Sequence, residues 1–264
     1  MVDGAAPGST IGPGIAAEAV DGAGVRSIAG VSAVVAAILA EGEPVATGEN
    51  MILSEQEKAR ISEAVRAAER RTSAEIVPML VARSALYRDA QHRTGLALAL
   101  LALTGLLMWE AVWLPWGWHA ANAAWLLAAT LLAYLIGTWL GTCAPVVRAV
   151  TSTDRLRHKV QLRAERAFAQ HGISQTRERT GVLLMISLLE RHVYVLPDQG
   201  IGSRVQAAQW DDVVKTVIAK LKANDIAGGF CAGIERCGAI LAEVCPARPG
   251  DNPDELSDRL VQEP

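Results

Sequence analysis

The sequence predicts a small α/β sandwich, a mixed sheet of three or four strands covered by helices, interrupted by a two-helix transmembrane hairpin. Residues 94–143 contain two apolar segments of about 20 residues each, the length that an α-helix needs to cross a hydrocarbon core. Outside them, short apolar runs typical of strands alternate with segments whose apolar residues recur at helical spacing. Elements of these two kinds bury their apolar faces by packing in layers.

The composition narrows the function classes. The 264 residues carry a formal net charge of −3, whereas a nucleic-acid-binding domain is usually basic, so no nucleic acid is expected. None of the four cysteines forms a CxxC pair, which argues against a zinc site. We expect small, largely buried thiols in a reducing compartment.

Residues 1–50 differ from the remainder of the chain. They are rich in Gly and Ala and have few charges and no basic segment typical of a signal peptide. We interpret them as a disordered extension. Since Met51 opens a more protein-like sequence, translation from Met51 is a further hypothesis, alongside a start at Met1.

The folded part is predicted to begin with a helix and a strand. Ser54 and Glu57 form a capping-box pattern, in which each side chain bonds the backbone of the other residue. Apolar residues at helical spacing follow as far as Arg70. Residues 74–81 then read as a buried strand, and Pro78 within it argues for a sheet edge or a bulge.

The charges around the apolar segments predict the orientation of the hairpin. Arginines precede the first segment and follow the second, whereas the link between them has no Lys or Arg. The positive-inside rule therefore places both flanks in the cytoplasm and the link outside. Glu110, the single Asp, Glu, Lys or Arg within the two segments, is expected to reach the outer interface, with a functional intramembrane charge as the alternative. Four tryptophans crowd the outer turn, where indoles favour the headgroup layer: Trp109, Trp113, Trp116 and Trp118.

After the hairpin the pattern predicts a helix, two strands and two helices. Residues 154–171 form a helix that could continue from the second apolar segment, and Gly172 ends it in a left-handed cap. Residues 181–188 and 192–196 form a β-hairpin that leads into a loop at 197–202. A helix from Trp210 is expected to break at Gly228 and Gly229, before a last helix that Pro246 stops.

This order of elements resembles the TPM domain family, small α/β domains found in thylakoid lumen proteins, phosphatase-like proteins and bacterial membrane proteins. The matching strings are RTSAEIVPMLVARS, TGVLLMISLLERHVYVLPDQGI, the Trp210-Asp211-Asp212 helix start and NDIAGGFCAGIERCGAIL. They resemble the family's first strand, its β-hairpin with a Gly-containing loop and its last helix. The chain is most similar to the short bacterial branch that carries membrane helices within the domain.

The resemblance implies two kinds of activity. A plant member of the family is associated with repair of a photosynthetic membrane complex and with acid phosphatase activity, and calcium binding through loop aspartates is described in the family. Those aspartates typically precede the central strand. This chain has Arg177-Glu178-Arg179-Thr180 there, so the acidic pattern is missing. The departure favours a non-enzymatic role over a phosphatase.

The remaining acidic residues define the candidate sites. Asp198, Asp211 and Asp212 could supply oxygen ligands to Ca²⁺ or Mg²⁺ if the loop and the helix start lie close together. The alternative is that they are polar loop residues and acids that complement a helix dipole. The predicted interaction surface is a loop with the following helix start: Pro197, Asp198, Gly200, Gly202 and Trp210.

The sequence thus predicts four segments: the 1–50 extension, a cytoplasmic domain of residues 51–93 and 144–246, the hairpin at 94–143 and a loose polar tail at 247–264. The expected location is the bacterial inner membrane, with two spans and both termini cytoplasmic. The expected partners are the lipid bilayer and other membrane proteins. The expected function is a non-enzymatic interaction or assembly and repair factor for membrane protein complexes, and the alternative is a divalent-metal-dependent phosphatase.

Overall fold

The computed structural model describes residues 53–113, 120–248 and 255–263, and among these it describes no side chains for residues 110–113 and 120–122. The segment 1–50, Met51, Trp116 and Trp118 lie outside the described residues, and the side chains of Glu110 and Trp113 are not described. The helices are α1 (Glu55–Glu69), α2 (Arg88–Trp113), α3 (Ala120–Leu140), α4 (Ala144–Val150), α5 (Thr153–Gln170), α6 (Gln199–Gly202), α7 (Ala207–Lys222) and α8 (Ile226–Val244). The strands are β1 (Glu75–Val81), β2 (Gly181–Ser187), β3 (His192–Pro197) and β4 (Val261–Glu263).

The sheet has the strand order β3-β2-β1-β4 and is mixed, as predicted. β1 pairs in parallel with β2 and with β4, whereas β2 and β3 form the antiparallel hairpin. Every residue of β1 and β2 is buried. This is expected of strands that are covered on both faces, and it explains why these two segments read as continuous apolar runs.

Helices cover both faces of the sheet and produce two apolar cores. On one face α1, α7 and α8 pack over residues such as Ile76, Leu184 and Val195. On the other face α5 packs over Met79, Met185 and their neighbours. The result is a three-layer α/β/α sandwich, which confirms the predicted fold class.

The start of the domain forms as predicted. The Ser54 hydroxyl accepts from the Glu57 amide at 3.3 Å, and the Glu57 carboxylate accepts from the Ser54 amide at 2.7 Å. Pro78 lies on a stretch of β1 that β4 does not reach, because β4 pairs only from Met79 onward. The missing N–H of Pro78 therefore removes no hydrogen bond between β1 and β4. This agrees with the edge position predicted for Pro78.

The two apolar helices α2 and α3 pack against each other between β1 and β2 of the same sheet. Each contains a stretch long and apolar enough to cross a membrane, Arg88–Trp109 and Ala123–Leu140, judged by length and composition. A Cβ atom on Gly137 would lie 2.8 Å from the Gly95 Cα and from the Thr94 carbonyl oxygen. Small residues thus let the two backbones approach closely at this end of the hairpin.

Three predictions about connections are wrong. α5 does not continue from α3, since the separate helix α4 lies between them. The segment 197–202 is not wholly loop, because residues 199–202 form α6. The break between the last two helices falls at 223–225, where Asn224 has a φ of 60° and Asp225 caps α8, so the Gly228 amide lies in the first turn of that helix.

The tail is also more ordered than predicted, since residues 261–263 form β4. The Arg66 Nε donates to Asp258 Oδ2 at 2.7 Å, and the Arg177 amide donates to Glu255 at 2.8 Å. Glu263 forms an ion pair with Arg163 on α5. These partners lie far away in sequence, which is why the local composition of the tail gave no indication of them.

Candidate functional site at the base of the helical hairpin

Polar side chains collect at the carboxyl ends of β1 and β2, where the chain leaves the sheet for the apolar hairpin. Ser84 and Tyr87 lie between β1 and α2, Ser187 ends β2, and Glu190 lies in the turn before β3. We call these four residues the hairpin-base cluster. In open α/β sheets, ligands bind outside the carboxyl ends of the strands, so this is the edge at which a site is expected.

Glu190 is the centre of the hairpin-base cluster. Its Oε1 accepts from the Ser84 amide at 2.9 Å and from the Tyr87 hydroxyl at 2.5 Å. Its Oε2 accepts from the Ser187 hydroxyl, and the Ser84 and Ser187 hydroxyls are 2.9 Å apart. The carboxylate is buried, with 8% of the residue exposed, and these bonds compensate for its lost hydration.

The protonation states of the neighbouring groups follow from burial and charge. Burial, together with the charge and hydrogen bond of Glu190, raises the pKa of Tyr87, so its hydroxyl stays protonated and donates. Burial, with a smaller contribution from Arg157, lowers the pKa of His192 to about 4. His192 pairs in register with Ser187, so a neutral imidazole lies beside the Ser187 hydroxyl at pH 7.

The Ser187 hydroxyl donates its proton to Glu190 Oε2. A nucleophilic serine needs its hydroxyl proton on a base that is itself held by a third group. The Glu190 carboxylate also binds the segment that enters α2, through the Ser84 amide and the Tyr87 hydroxyl. The cluster therefore has a structural role, because it fixes the hairpin to the end of the sheet.

Asp198, the first predicted metal ligand, lies at the opposite end of the sheet. Its amide donates to the carbonyl of Gly181, the first residue of β2, at 2.9 Å. Its Oδ1 accepts from the Gln199 amide at 2.7 Å and so caps α6. Its Oδ2 is buried and has no hydrogen-bond partner within the described part of the chain. Asp198 is therefore a predicted ligand with a buried oxygen that no described residue bonds.

The two other predicted ligands lie on the first turns of α7. Asp212 Oδ2 accepts from Arg236 on α8 at 3.0 Å, and both side chains are about half exposed. Burial, followed by the nearby charge of Asp212, raises the pKa of Asp211, with Lys215 acting in the opposite direction. The described residues contain no group of three or more His, Cys, Asp or Glu side chains placed to hold a metal ion. The structure therefore does not bring Asp198, Asp211 and Asp212 into one such group.

The predicted interaction loop is only partly at the surface. Pro197 and Gly200 are half-buried and Gly202 is exposed, whereas Asp198 is buried. A Cβ on Gly200 would lie 2.5 Å from the carbonyl oxygens of residues 178 and 179, so this glycine permits a close backbone approach. Trp210 has 2% of its surface exposed and belongs to the core, so its predicted role as a contact residue is wrong.

Sequence reasoning also missed a pair of neighbouring carboxyl groups, Glu69 at the end of α1 and Asp258 before β4. Glu69 Oε1 accepts from the Ile76 amide at 2.9 Å. Burial raises the pKa of Glu69 to about 9, and the nearby Glu75 and Asp258 add to the rise. No local pattern could have identified this pair, because Asp258 is far from α1 in sequence. The hairpin-base cluster did leave a signal, since a serine lies at or shortly after the end of each buried strand.

Comparisons with known proteins agree with the architecture. The family model of the TPM domain matches residues 144–240. The fold is similar to the NMR structure of BA42 protein from the psychrophilic bacterium Bizionia argentinensis, at 19% sequence identity and a TM-score of 0.50, over 81% of this chain and 98% of that chain. No curated protein matches the chain at a significant level. The matched residues run from α4 into α8 and include β2 and β3. Residues 144–240 are thus similar to a TPM domain.

Proposed function

We propose that the protein is a membrane-anchored TPM-domain protein that acts as a non-enzymatic interaction or assembly and repair factor for membrane protein complexes. The observation that carries this proposal is the insertion of two apolar helices between adjacent strands of one sheet. Because the hairpin joins the domain through two connections, the domain is held at the surface from which the hairpin emerges. The proposed location is the bacterial inner membrane.

The exposed surface of the hairpin supports anchoring. Large apolar side chains of α2 and α3 point outward over the length of both helices: Leu96, Leu100, Leu101, Leu107, Met108, Trp109, Trp125, Leu127, Leu131, Leu132, Leu135, Ile136 and Trp139. Soluble proteins rarely expose a contiguous apolar surface of this kind. A hydrocarbon layer would cover it without any other protein chain.

The distribution of charge supports an orientation with both termini in the cytoplasm. The segments at the two ends of the hairpin carry arginines, including Arg83, Arg88, Arg148 and Arg155, whereas the link has no Lys or Arg. Cytoplasmic loops carry such an excess of cations. The TPM domain would then lie on the cytoplasmic face.

The use of the polar groups favours binding over catalysis. Glu190 holds the hairpin entry, Asp212 is paired with Arg236, and Asp198 caps α6. Each of these carboxylates already forms a structural hydrogen bond or ion pair. A carboxylate that acted as a catalytic base or metal ligand would have to do so in addition to that interaction. The exposed faces of α7 and α8 remain available to a neighbouring protein.

One observation favours the alternative, a divalent-metal-dependent phosphatase. The buried Asp198 Oδ2 without a hydrogen-bond partner in the described residues could bind Ca²⁺ or Mg²⁺, with water and backbone carbonyls as further ligands. Such an ion would polarise a phosphate ester and activate water. Asp211 and Asp212 lie on a different element and are not required in this arrangement.

Two measurements on the full-length protein test the proposal. Alkaline extraction of membranes should leave the protein in the pellet, and a reporter fused within residues 114–119 should lie on the opposite side of the membrane from reporters at the two termini. Release into the alkaline supernatant would refute anchoring.

The second measurement is phosphate release from a generic aryl phosphate by detergent-purified protein, with and without Ca²⁺ or Mg²⁺. Asp198→Asn is the test variant and Asp212→Asn the matched control on α7. We expect no turnover above that of the variants. Metal-dependent turnover that is lost in Asp198→Asn and kept in Asp212→Asn would instead establish the phosphatase.

A further inference from the structure

The tail covers one edge of the sheet with its last described residues. β4 pairs in parallel with the last three residues of β1, and the Ala82 amide donates to the Glu263 carbonyl oxygen at 3.1 Å. Leu260 packs against the core under α1, α7 and α8, and Val261 packs against the core under α5. Because adjacent residues of a strand point to opposite faces, these two apolar side chains close the edge of both cores.

A cationic pocket beside this edge binds the side chain of Glu263. The carboxylate forms an ion pair with Arg163 on α5, and its Oε1 lies 3.4 Å from Nε2 of His171, the residue that follows α5. The Arg163 side chain is 19% exposed, so the pair is partly shielded from water, where the attraction between charges is stronger than in bulk solvent. We call the edge formed by residues 79–82, together with Arg163 and His171, the β4 site.

Glu263 leaves two nitrogen atoms of the β4 site unused. Arg163 Nε and His171 Nε2 are both buried and have no hydrogen-bond partner among the described residues. A guanidinium pairs best with a carboxylate through two parallel hydrogen bonds, and Glu263 contacts Arg163 through Nη2. A buried polar atom without a hydrogen-bond partner costs stability. The pocket therefore fits a carboxylate that approaches differently better than it fits the carboxylate of β4.

The tail is held by few buried groups. Among residues 255–263, which the structure describes, Asp258 is the single buried residue, and it accepts from Arg66 at 2.7 Å. β4 itself has three residues, all of them at least partly exposed. Segments with few buried contacts open at a low cost in free energy. β4 can therefore leave the edge while Asp258 keeps the tail attached.

The edge of β1 accepts only a short segment. Alternate amides of a strand point to the same edge, so the N–H groups of residues 76, 80 and 82 share the edge to which Ala82 donates. The Ile76 amide already donates to Glu69 at 2.9 Å, and Pro78 has no N–H to offer. A docked segment thus has the amides of residues 80 and 82 to bond, which limits its pairing to about the length of β4.

We propose that the β4 site binds a short extended segment of another membrane protein, and that β4 fills the site in the absence of that segment. By analogy with residues 260–263, the segment has two adjacent apolar residues, one further residue and then a carboxylate. The inference rests on the proposed interaction role and names the kind of segment recognised. Strand addition supplies affinity through main-chain hydrogen bonds, and side-chain pockets supply specificity. A second copy would bring the same Glu263 with the same incomplete pairing, so the partner is a different chain.

Fluorescence anisotropy with the full-length protein in neutral detergent tests the site. The probe is a labelled peptide with the sequence of residues 255–264, ELSDRLVQEP, and the control peptide carries Glu263→Gln. In the wild-type protein the resident tail competes with the probe. Glu263→Gln in the protein weakens that tail, so we expect it to bind the probe about tenfold more tightly, the effect of losing one charge-assisted contact. The control peptide should not show this gain.

Glu235→Gln is the matched control variant, since Glu235 is an exposed acid on α8, which packs on the opposite face of the sheet from α5. It should bind the probe as the wild-type protein does. Adding Arg163→Gln to Glu263→Gln should abolish the gain. If that double variant fails to fold, Arg163→Lys keeps the charge without the fork and should retain part of the gain.

Equal affinity of the wild-type protein and Glu263→Gln for the probe would overturn the proposal, and so would the same gain in Glu235→Gln or with the control peptide. Analytical ultracentrifugation in the same detergent scores the other occupant. A dimer that Glu263→Gln dissociates would place a second copy on the edge and would overturn the assignment to a different protein. Failure of anchoring is scored separately by alkaline extraction. A protein that resists extraction but shows no gain in peptide binding loses only this inference.

Discussion

The Tyr87 hydroxyl donates to the Glu190 carboxylate at 2.5 Å and joins the last residue before the hairpin region to the turn between β2 and β3. The bond spans the inserted hairpin in sequence, so it connects the part of the domain before the hairpin directly with the part after it. Ser84 and Ser187 reinforce the same connection. The junction between the sheet and the hairpin is therefore held by a buried polar network as well as by apolar packing.

Substitutions in this network should destabilise the domain in a graded manner. Glu190→Gln removes the charge that strengthens three hydrogen bonds and should cost about 2 to 3 kcal/mol of the free energy of unfolding. Tyr87→Phe removes one bond and should cost about 1.5 kcal/mol. Chemical denaturation in detergent, followed by far-UV circular dichroism, measures both values. An unchanged free energy of unfolding in Glu190→Gln would show that the cluster does not hold the junction.

The close approach of α2 and α3 makes a second prediction. Gly137→Ala places a Cβ 2.8 Å from backbone atoms of residues 94 and 95, so the helices must separate, at a cost of about 1 to 3 kcal/mol. Gly105→Ala is the control, because nothing lies within 4 Å of its Cβ. Thermal unfolding in detergent measures the Tm of both variants. We expect a lower Tm than the wild type for Gly137→Ala only. Equal Tm values would contradict the packing described for the hairpin.

A similar pair of glycines tests the loop around Asp198. Gly200→Ala directs a methyl group at two carbonyl oxygens 2.5 Å away and should destabilise the domain by about 2 kcal/mol. Gly202→Ala, in the same short helix, meets nothing within 4 Å and should be close to neutral. The free energies of unfolding from denaturant titration make the comparison. A similar loss in both variants would indicate an effect of helix α6 as a whole and not of the close approach.

The raised pKa of Glu69 predicts a pH dependence of stability. With a pKa of about 9 in the folded state and about 4.5 in the unfolded state, Glu69 favours folding fully below pH 4.5, and this contribution is lost as the pH rises towards 9. Glu69→Gln keeps an oxygen for the Ile76 amide and removes the titration. At pH 8 the variant should have a larger free energy of unfolding than the wild type in denaturant titrations, and at pH 4.5 this advantage should disappear.

His192 should make stability depend on pH in the opposite direction to Glu69. Its pKa of about 4 in the folded state lies below the unfolded value of 6.5, so its contribution to stability is full above pH 6.5 and is lost as the pH falls towards 4. Denaturant titrations of His192→Gln at pH 5 and pH 7.5 should show a smaller difference between the two pH values than the wild type shows. An unchanged difference would mean that His192 does not titrate in this range.

The regular elements were predictable because their signals are local. The capping box at Ser54, the left-handed cap at Gly172 with a φ of 65° and the apolar runs of β1 and β2 depend on residues near one another in sequence. The strand β4 was not predictable, since three residues acquire their conformation only by pairing with β1. A short edge strand of this kind has no periodicity to detect.

The same distinction applies to the candidate site. Asp198 was identified as a polar residue after a strand, and its capping of α6 is a local feature. The hairpin-base cluster depends on the parallel pairing of β1 with β2, which brings Ser84 and Ser187 together across the hairpin. Trp210 was misassigned because an aromatic residue at a helix start reads equally well as a contact residue and as a core residue, and burial decides between them.

The position of the hairpin between β1 and β2 has a consequence for biogenesis. During synthesis β1 emerges before the apolar helices, and its partner β2 emerges after them. If the hairpin crosses a membrane as proposed, the sheet cannot close until the chain has returned to its starting side, and an insertion with a single crossing would leave the two strands on opposite sides of the bilayer. Completion of the domain would then depend on correct topology.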